Sequence, residues 1–232
     1  MLRLNMLSFP KYKKMENKMD IRQISNKKKY DLASSVYDTI AYLMSLGQAQ
    51  NIYKTIAKNI NIPKNGTIVE LGCGPASVIP SLLEEVSTTS KIIGIDFSCA
   101  MIDIANRKKE NQNWQNVEFK CMDMYEYTPD EKVDTVIFCL ALTAMPEYEK
   151  AIEKALDILK PNGQLLIIDS IPLHTKWYHL FTNIYISFKS LIVGAKPVGK
   201  ILNFLDEKTK SMETKEMVGG VYILIDTRNK DI

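Results

Sequence analysis

Two glycines and an acid stand close together after a short apolar run. They are Glu70, Gly72 and Gly74, within the sequence Glu-Leu-Gly-Cys-Gly at residues 70–74. Glycine lacks the side chain that would forbid a sharp turn or keep a ligand away from the backbone, and Pro75 suits the first turn of a helix. The spacing predicts a strand, a ligand-binding turn and a helix. A tight turn without a ligand is the alternative.

Two further acids, Asp96 and Asp123, close the next two predicted strands. In open α/β sheets the ligand binds beyond the carboxyl ends of the strands, so these acids and the glycine turn should converge. A carboxylate at Asp96 can accept hydrogen bonds from both ribose hydroxyl groups, and one at Asp123 can accept from an adenine amino group. The residues therefore predict an adenosine site.

The glycine spacing separates the adenosine cofactors. A dinucleotide fingerprint requires a third glycine at position 77, where this chain has Ser77. The carboxylate of Glu70 would also repel a pyrophosphate, whereas it suits a cofactor tail with an amine and a sulfonium. NAD is therefore disfavoured. The cysteine spacing does not fit a zinc site, and we expect no bound metal.

Alternating strand and helix patterns position these residues. Strands are predicted at residues 67–73, 91–96, 117–122, 133–140 and 164–169, and helices at residues 76–86, 100–110 and 148–160. Apolar strands separated by helices are typical of a parallel sheet that is covered on both faces. The fold class is therefore α/β, a Rossmann-like, doubly wound and mostly parallel sheet with helices on both faces.

Further elements flank this alternating region. Helical periodicity is present at residues 31–60, with a break at Gly47, and again at residues 174–195 and 198–208. Strands predicted at residues 211–217 and 221–227 would form a terminal antiparallel hairpin on the sheet edge.

Positive charge is concentrated at the start of the sequence. Residues 1–30 contain nine Lys or Arg and two acids, whereas the net charge of the whole chain is +3. A basic arm can bind anionic lipid or nucleic acid, but a solvated leader is the commoner case. We expect a basic leader at residues 1–29, one domain at residues 30–232, and no nucleic-acid binding, because the leader has few aromatic residues.

The four cysteines, Cys73, Cys99, Cys121 and Cys139, are far apart in the sequence. They lack the close pairing of a secreted disulfide framework, so a reducing cytoplasm is the simplest setting. We expect each cysteine to be a small buried hydrophobic residue.

The ordered motifs resemble those of the class I methyltransferases that use S-adenosylmethionine (SAM). The resemblance covers about residues 60–170 and rests on residues 70–74, 94–98, 121–124 and 159–164. One departure is Ala76, where many relatives have a third glycine. The resemblance implies a cofactor-binding set with Glu70, Gly72, Cys73 and Gly74 at the methionine part, Asp96 at the ribose, Phe97, Met101, Asp123 and Met124 at the adenine, and Leu140 near the methyl group.

The segment before the sheet narrows the resemblance. Residues 29–47 resemble the entry segment of the UbiE-type quinone C-methyltransferases and their phospholipid N-methyltransferase relatives. In those enzymes this segment covers the cofactor, which implies a helical lid at residues 30–60. Tyr37 would then contact the sulfonium through a cation–π interaction. A packing aromatic residue on an amphipathic helix is the alternative.

The predicted helix at residues 174–196 is amphipathic. One apolar stripe contains Trp177, Phe181, Ile184, Phe188, Leu191 and Ala195, and polar residues lie opposite. No acid occurs between residues 170 and 205, while four lysines do: Lys176, Lys189, Lys196 and Lys200. These features are typical of an element that lies on a membrane surface. A helix packed on the sheet or against a second copy in a homodimer is the alternative.

Methyl transfer from a sulfonium depends on alignment and on the exclusion of water more than on acid–base groups. A hydroxylated ring would benefit from a base, and His174 is a candidate, with a solvent-facing histidine as the alternative; we assign no catalytic base. We expect a cytoplasmic enzyme, peripheral to a membrane, that methylates a small lipophilic acceptor such as a prenylated quinol-type ring on carbon. Phospholipid N-methylation, O-methylation of a soluble metabolite, and a SAM-binding regulator without turnover are the alternatives.

Overall fold

The computed structural model describes residues 42–43, 45–196 and 198–230. The expected basic leader at residues 1–29, the first part of the expected lid, and Tyr37 lie outside the described residues.

Seven strands form one sheet in the described part of the chain. They are β1 (Thr67–Leu71), β2 (Lys91–Asp96), β3 (Val117–Cys121), β4 (Val133–Cys139), β5 (Leu159–Asp169), β6 (Ser211–Met217) and β7 (Tyr222–Arg228). Their order across the sheet is β3-β2-β1-β4-β5-β7-β6. The first five strands are parallel, whereas β7 runs antiparallel to both β5 and β6. The predicted mostly parallel sheet with a terminal antiparallel hairpin is therefore confirmed.

Helices cover both faces of the sheet, as predicted. The described helices are α1 (Ala49–Lys58), α2 (Ile79–Glu85), α3 (Cys99–Gln112), α4 (Tyr148–Ile158), α5 (His179–Val193) and α6 (Ile201–Lys208). Apolar residues of α4 and α6 pack on one face, and those of α1, α2, α3 and α5 pack on the other. Because side chains alternate along a strand, Ile68 and Val69 enter different cores.

The fifth strand begins earlier than its sequence predicts. We expected a helix to residue 160 and a strand from residue 164, but α4 ends at Ile158 and β5 begins at Leu159. Leu159 pairs with Val133 before the pairing shifts to Gln164 and Thr135. The chain turns between these two pairings, where Asn162 has a φ of 57°. Strand pairing across the turn, which local periodicity does not report, sets this boundary.

The cysteine prediction is wrong for two of the four residues. Cys99, the first residue of α3, forms a disulfide with Cys121, the last residue of β3, and their Cα atoms are 5.1 Å apart. Cys73 and Cys139 have free thiols, with Cys73 buried and Cys139 half-buried. A sequence separation of 22 hid the contact, because the pairing of β2 with β3 brings these two positions together.

Gly94, in the middle of β2, gives a test of the packing. A Cβ atom there would lie 2.7 Å from Cδ1 of Phe119, its partner in β3, and 2.8 Å from Sγ of Cys73. We expect Gly94→Ala to lower the free energy of unfolding by about 1–3 kcal/mol, measured by urea denaturation, because the added methyl group overpacks this site. Gly199→Ala is the matched control, since its Cβ would come no closer than 3.5 Å to another atom. Equal stability of the two variants would contradict the crowding at Gly94.

Candidate active site

The carboxylate of Asp96 joins the two turns that form the site. Asp96 is the last residue of β2 and is 8% exposed. Its Oδ2 accepts a hydrogen bond from the Gly74 amide at 2.8 Å, and its Oδ1 accepts one from the Ser98 amide at 2.8 Å. Ser98 in turn caps α3, and its hydroxyl accepts from the Met101 amide at 3.3 Å. One side chain therefore sets the position of the glycine turn relative to the start of α3.

The turn after β1 depends on glycine at two positions. Gly72 and Gly74 have φ angles of 76° and 52°, in the left-handed region that residues with a side chain rarely adopt. A Cβ atom on Gly72 would also lie 2.7 Å from the Cβ of Ala141. The segment after β4 thus leaves no room for a side chain at position 72. These φ angles and this close contact agree with the predicted ligand-binding turn.

A cavity opens where β1, β2, β3 and β4 end. Its lining residues are Gly72, Gly74, Ile95, Asp96, Phe97, Met101, Met122, Asp123, Met124, Tyr125, Leu140, Ala141, Ala144, Met145 and Pro146. Phe97 and Met101, after β2, and Met122 and Met124, after β3, give the cavity an apolar lining, here called the apolar slot. Asp96 and Asp123 are the acids at its edge, and Asp123 also accepts a hydrogen bond from the Tyr125 amide at 3.0 Å.

Glu70 provides a buried carboxyl group next to the glycine turn. It is 2% exposed, and its Oε2 atom has no hydrogen-bond partner. Burial raises the pKa of Glu70 well above its usual value, and the neighbouring charge of Asp96 raises it further. A cation bound nearby would offset both effects, because it favours the charged carboxylate.

The residues around the cavity fit SAM better than a phosphate-bearing cofactor. Within the described part of the chain, the cavity wall includes two acids and no lysine or arginine, and Glu70 lies close to Asp96 behind it. An amino group and a sulfonium suit this negative environment, whereas a pyrophosphate would be repelled. The apolar slot suits an adenine ring. No group of three metal-ligating side chains is found among the described residues.

Eight of the predicted site residues line this one cavity: Gly72, Gly74, Asp96, Phe97, Met101, Asp123, Met124 and Leu140. Glu70 and Cys73 are buried behind it instead. His174, the candidate base, is exposed and borders a separate groove on the outside of α5. The structure therefore does not bring His174 to the cavity. Tyr37 lies outside the described residues.

Sequence reasoning missed the segment after β4. Ala141, Ala144, Met145 and Pro146 line the cavity around a short 3₁₀ turn at Leu142–Ala144. Its position directly after a strand was an available signal, since ligands bind at strand ends. The segment has no acid, glycine pair or aromatic residue that would mark it as a site. Leu140 has a φ of 57°, which turns the chain at this point.

A buried polar cluster supports that turn from below. The carboxylate of Asp169 accepts hydrogen bonds from the Thr143 amide at 2.9 Å, the Thr143 hydroxyl at 2.8 Å and the Ser170 amide at 2.7 Å. Lys189 of α5 donates to the Ser170 hydroxyl and, at 2.9 Å, to the Tyr222 hydroxyl. Burial lowers the pKa of Lys189 to about 8, although Asp169 opposes the shift. These contacts tie α5 to the rim of the cavity.

Comparison with known proteins points to methyl transfer. A family model described as a methyltransferase domain matches residues 62–215. The chain is 28% identical over 193 residues to a demethylmenaquinone methyltransferase from Oceanobacillus iheyensis, covering 82% of this chain and 81% of that protein. It is also 26% identical over 209 residues to a protein of the same name from Staphylococcus carnosus, covering 81% and 86%.

Solved structures share the fold at lower identity. The N-methyltransferase NodS from Bradyrhizobium japonicum, determined with S-adenosyl-L-homocysteine, matches with a TM-score of 0.61 and 13% identity over 79% of this chain and 88% of its own. The [4+2]-cyclase SpnF matches with a TM-score of 0.66 and 15% identity over 90% and 96%. Likeness at this level shows the fold alone, since one fold supports different reactions.

The lowered pKa of Lys189 leads us to expect that stability depends on pH. Between its folded pKa of about 8 and the usual 10.5, the unfolded chain binds one more proton than the folded chain. The free energy of unfolding should therefore rise with pH, by about 2–3 kcal/mol from pH 7 to pH 10, relative to Lys189→Met. Urea denaturation of both proteins across this range measures the difference. Parallel pH profiles would contradict the burial of this ammonium group.

Proposed function

Given that the chain belongs to the family of methyltransferase domains and uses S-adenosylmethionine, we propose that it methylates a lipophilic, quinol-type ring on carbon. The acceptor is a small molecule that reaches the enzyme at a membrane surface. The cofactor site is the cavity around Asp96, with Asp123 at the adenine edge and Glu70 near the methionine amine. One domain at residues 30–232 is part of this proposal. The described part of the expected lid does not line the cavity, because α1 packs on the sheet and none of residues 45–60 lies in the cavity wall.

The observation that carries the proposal is the exposed apolar face of α5. Trp177, just before the helix, is 81% exposed, and Phe181 and Phe188 are 63% and 62% exposed. Polar residues of the same helix point inward, since His179, Lys189 and Ser190 are buried. This arrangement reverses the usual orientation of a surface helix. An apolar face of this size in water indicates a binding surface.

Hydrogen bonds of the inward polar residues hold α5 in this orientation. Asn183 donates to the Leu173 carbonyl at 2.8 Å, and Nε2 of His179 lies 3.4 Å from Oε2 of Glu216. Lys189, expected among the flanking charges, instead belongs to the buried cluster. The apolar face therefore stays outward, because turning it inward would remove these polar groups from their hydrogen-bond partners.

A lipid surface is the occupant that we propose for this face. Lys196 and Lys200, which follow the helix, are exposed, and no acid occurs between residues 170 and 205. Exposed lysines beside aromatic side chains favour an anionic bilayer surface. No helix in the described part of the chain is long and apolar enough to cross a membrane. A second copy of the chain on this face would give a homodimer instead.

The position of α5 relates the membrane contact to the cavity. The Lys196 amide, just beyond the helix, donates to the Thr143 carbonyl at 2.6 Å, in the turn that lines the cavity. An acceptor that enters from a bilayer along α5 would therefore arrive next to Ala144 and Met145. The relatives named demethylmenaquinone methyltransferase agree with this class of acceptor.

The residues that line the cavity position the acceptor and exclude water. When bound, SAM supplies a methyl group on a positively charged sulfur, which is intrinsically electrophilic. Ile95, Met101 and Met145 exclude water from the site, while small Ala141 and Ala144 leave room for a flat acceptor. No histidine or lysine lines the cavity in the described residues, so the proposal assigns no base. Alignment of the acceptor carbon is the main requirement.

Three alternatives are distinguished by the products that they would or would not form. N-methylation of a phospholipid or O-methylation of a soluble metabolite would yield a different methylated compound from radiolabelled SAM. A regulator without turnover would bind SAM and release no S-adenosylhomocysteine.

Asp96→Ala tests the cofactor site. We expect it to weaken binding of S-adenosylhomocysteine about 10- to 100-fold, measured by calorimetry, because a charged acceptor of the ribose hydroxyls is lost. Asp103→Ala is the matched control, since Asp103 is exposed on α3 and lies away from the cavity. Asp96→Asn retains one carbonyl oxygen and should bind with intermediate affinity. A variant at position 96 that folds and binds as well as the control would contradict the site.

The exposed face of α5 is tested by the double variant F181S/F188S. We compare methyl transfer to a prenylated quinol in anionic vesicles with transfer to a short-chain, water-soluble naphthoquinol. The variant should lose about tenfold or more in rate on vesicles, because each serine removes buried apolar area at the bilayer, and keep its rate on the soluble ring.

Equal losses on both acceptors would indicate a damaged active site and not a membrane contact. An unchanged rate on vesicles would contradict the lipid surface, and a change from dimer to monomer in sedimentation would assign the face to a second copy. Failure of the wild type to methylate either quinol would contradict the proposed acceptor.

A further inference from the structure

A disulfide joins two segments that line the cofactor cavity. It joins Cys99 in the first turn of α3 to Cys121 at the end of β3. On the α3 side it lies between Phe97 and Met101 in the sequence, and both of these line the cavity. On the β3 side it is followed at once by Met122 and Asp123, which line the same cavity. The bond therefore connects the two segments that supply the lining of the apolar slot.

We propose that the Cys99–Cys121 pair is a reversible redox site that controls the affinity for the cofactor. In the disulfide form the bond holds together the two segments that line the adenine slot. In the dithiol form these segments separate and cofactor binding weakens. The inference rests on the proposed cofactor site and adds its regulation.

The chemistry is thiol–disulfide exchange with a small dithiol or with glutathione disulfide. A dithiol gives two electrons and two protons to the sulfur–sulfur bond, so that Cys99 and Cys121 become thiols and the reductant becomes its own disulfide. In the reverse direction the two protein thiols reduce glutathione disulfide to two molecules of glutathione. Neither direction needs a further oxidant or reductant.

The bridge can be reached from solvent. Cys99 and Cys121 are half-buried, so a small thiol can reach the bond from solvent. Cys73 is 4% exposed, and burial raises the pKa of its thiol, which suppresses the reactive thiolate. Cys139 also has a raised pKa, chiefly through burial. Exchange is therefore expected at the bridge first.

Reduction should loosen the slot without unfolding it. The Met122 amide still donates to the Asp96 carbonyl at 3.0 Å, and Asp96 still accepts from the Ser98 amide. These bonds hold β3 and the start of α3 near β2. Cleavage removes only the covalent link between Cys99 and Cys121, so the two sulfur atoms move apart to non-bonded contact. The expected effect is thus on affinity more than on the fold.

The test is calorimetric binding of S-adenosylhomocysteine to the full chain after treatment with glutathione disulfide or with dithiothreitol. Peptide mapping without reductant establishes which cysteines are bridged in each sample. We expect reduction to raise the Kd about fivefold or more. The double variant C99S/C121S should bind like the reduced wild type after either treatment, and its far-UV circular dichroism should match that of the wild type.

Three results would overturn the proposal. One is free thiols at both positions after glutathione disulfide, and another is a Kd that does not change on reduction of a mapped bridge. The third is a redox response that persists in C99S/C121S, which would assign it to Cys73 or Cys139. Absence of binding in both redox states would contradict the cofactor site itself, and its redox control with it.

Discussion

The site depends on a single carboxylate that must be held at the end of a strand. Asp96 receives the amides of Gly74 and Ser98, one on each oxygen, and so connects the turn after β1 to the helix after β2. A buried carboxylate without such donors would be costly, and two unpaired amides at the same place would also be costly. The three groups therefore stabilise each other in one arrangement, and the cavity forms around it.

The negative character of this region follows from the same constraint. Asp96 raises the pKa of Glu70, which is already raised by burial, so the charge of Asp96 disfavours a charge on Glu70 in the free protein. A bound cation reverses that effect. The site is thus suited to a positively charged cofactor tail before any ligand contact is considered. Its walls have no lysine or arginine in the described residues, which agrees with this preference.

The orientation of α5 relates the fold to the proposed acceptor. Its polar residues are used inside, where Lys189 reaches Ser170 and Tyr222 beside the Asp169 cluster that supports the cavity rim. Its aromatic residues remain outside as a result. The same contacts that position the turn at Thr143 therefore leave an apolar surface exposed next to the site. Support of the cavity and presentation of that surface are properties of one helix.

The sequence alone determined the order of the core strands and helices, the parallel sheet with its terminal hairpin, the family and its cofactor. Those features are local, because periodicity of two or 3.6 residues and glycine at a tight turn are visible in short stretches. Eight of the predicted residues around one cavity, from Gly72 to Leu140, come from motifs at strand ends of this kind.

Tertiary structure alone decided the features that depend on contacts between distant segments. The bridge between Cys99 and Cys121 follows from the pairing of β2 with β3, and the early start of β5 follows from Leu159 pairing with Val133. A helical wheel identified the two faces of α5 but could not say which one is buried. The hydrogen-bond partners of Lys189 and His179 decide which face is buried, because buried polar groups need such partners.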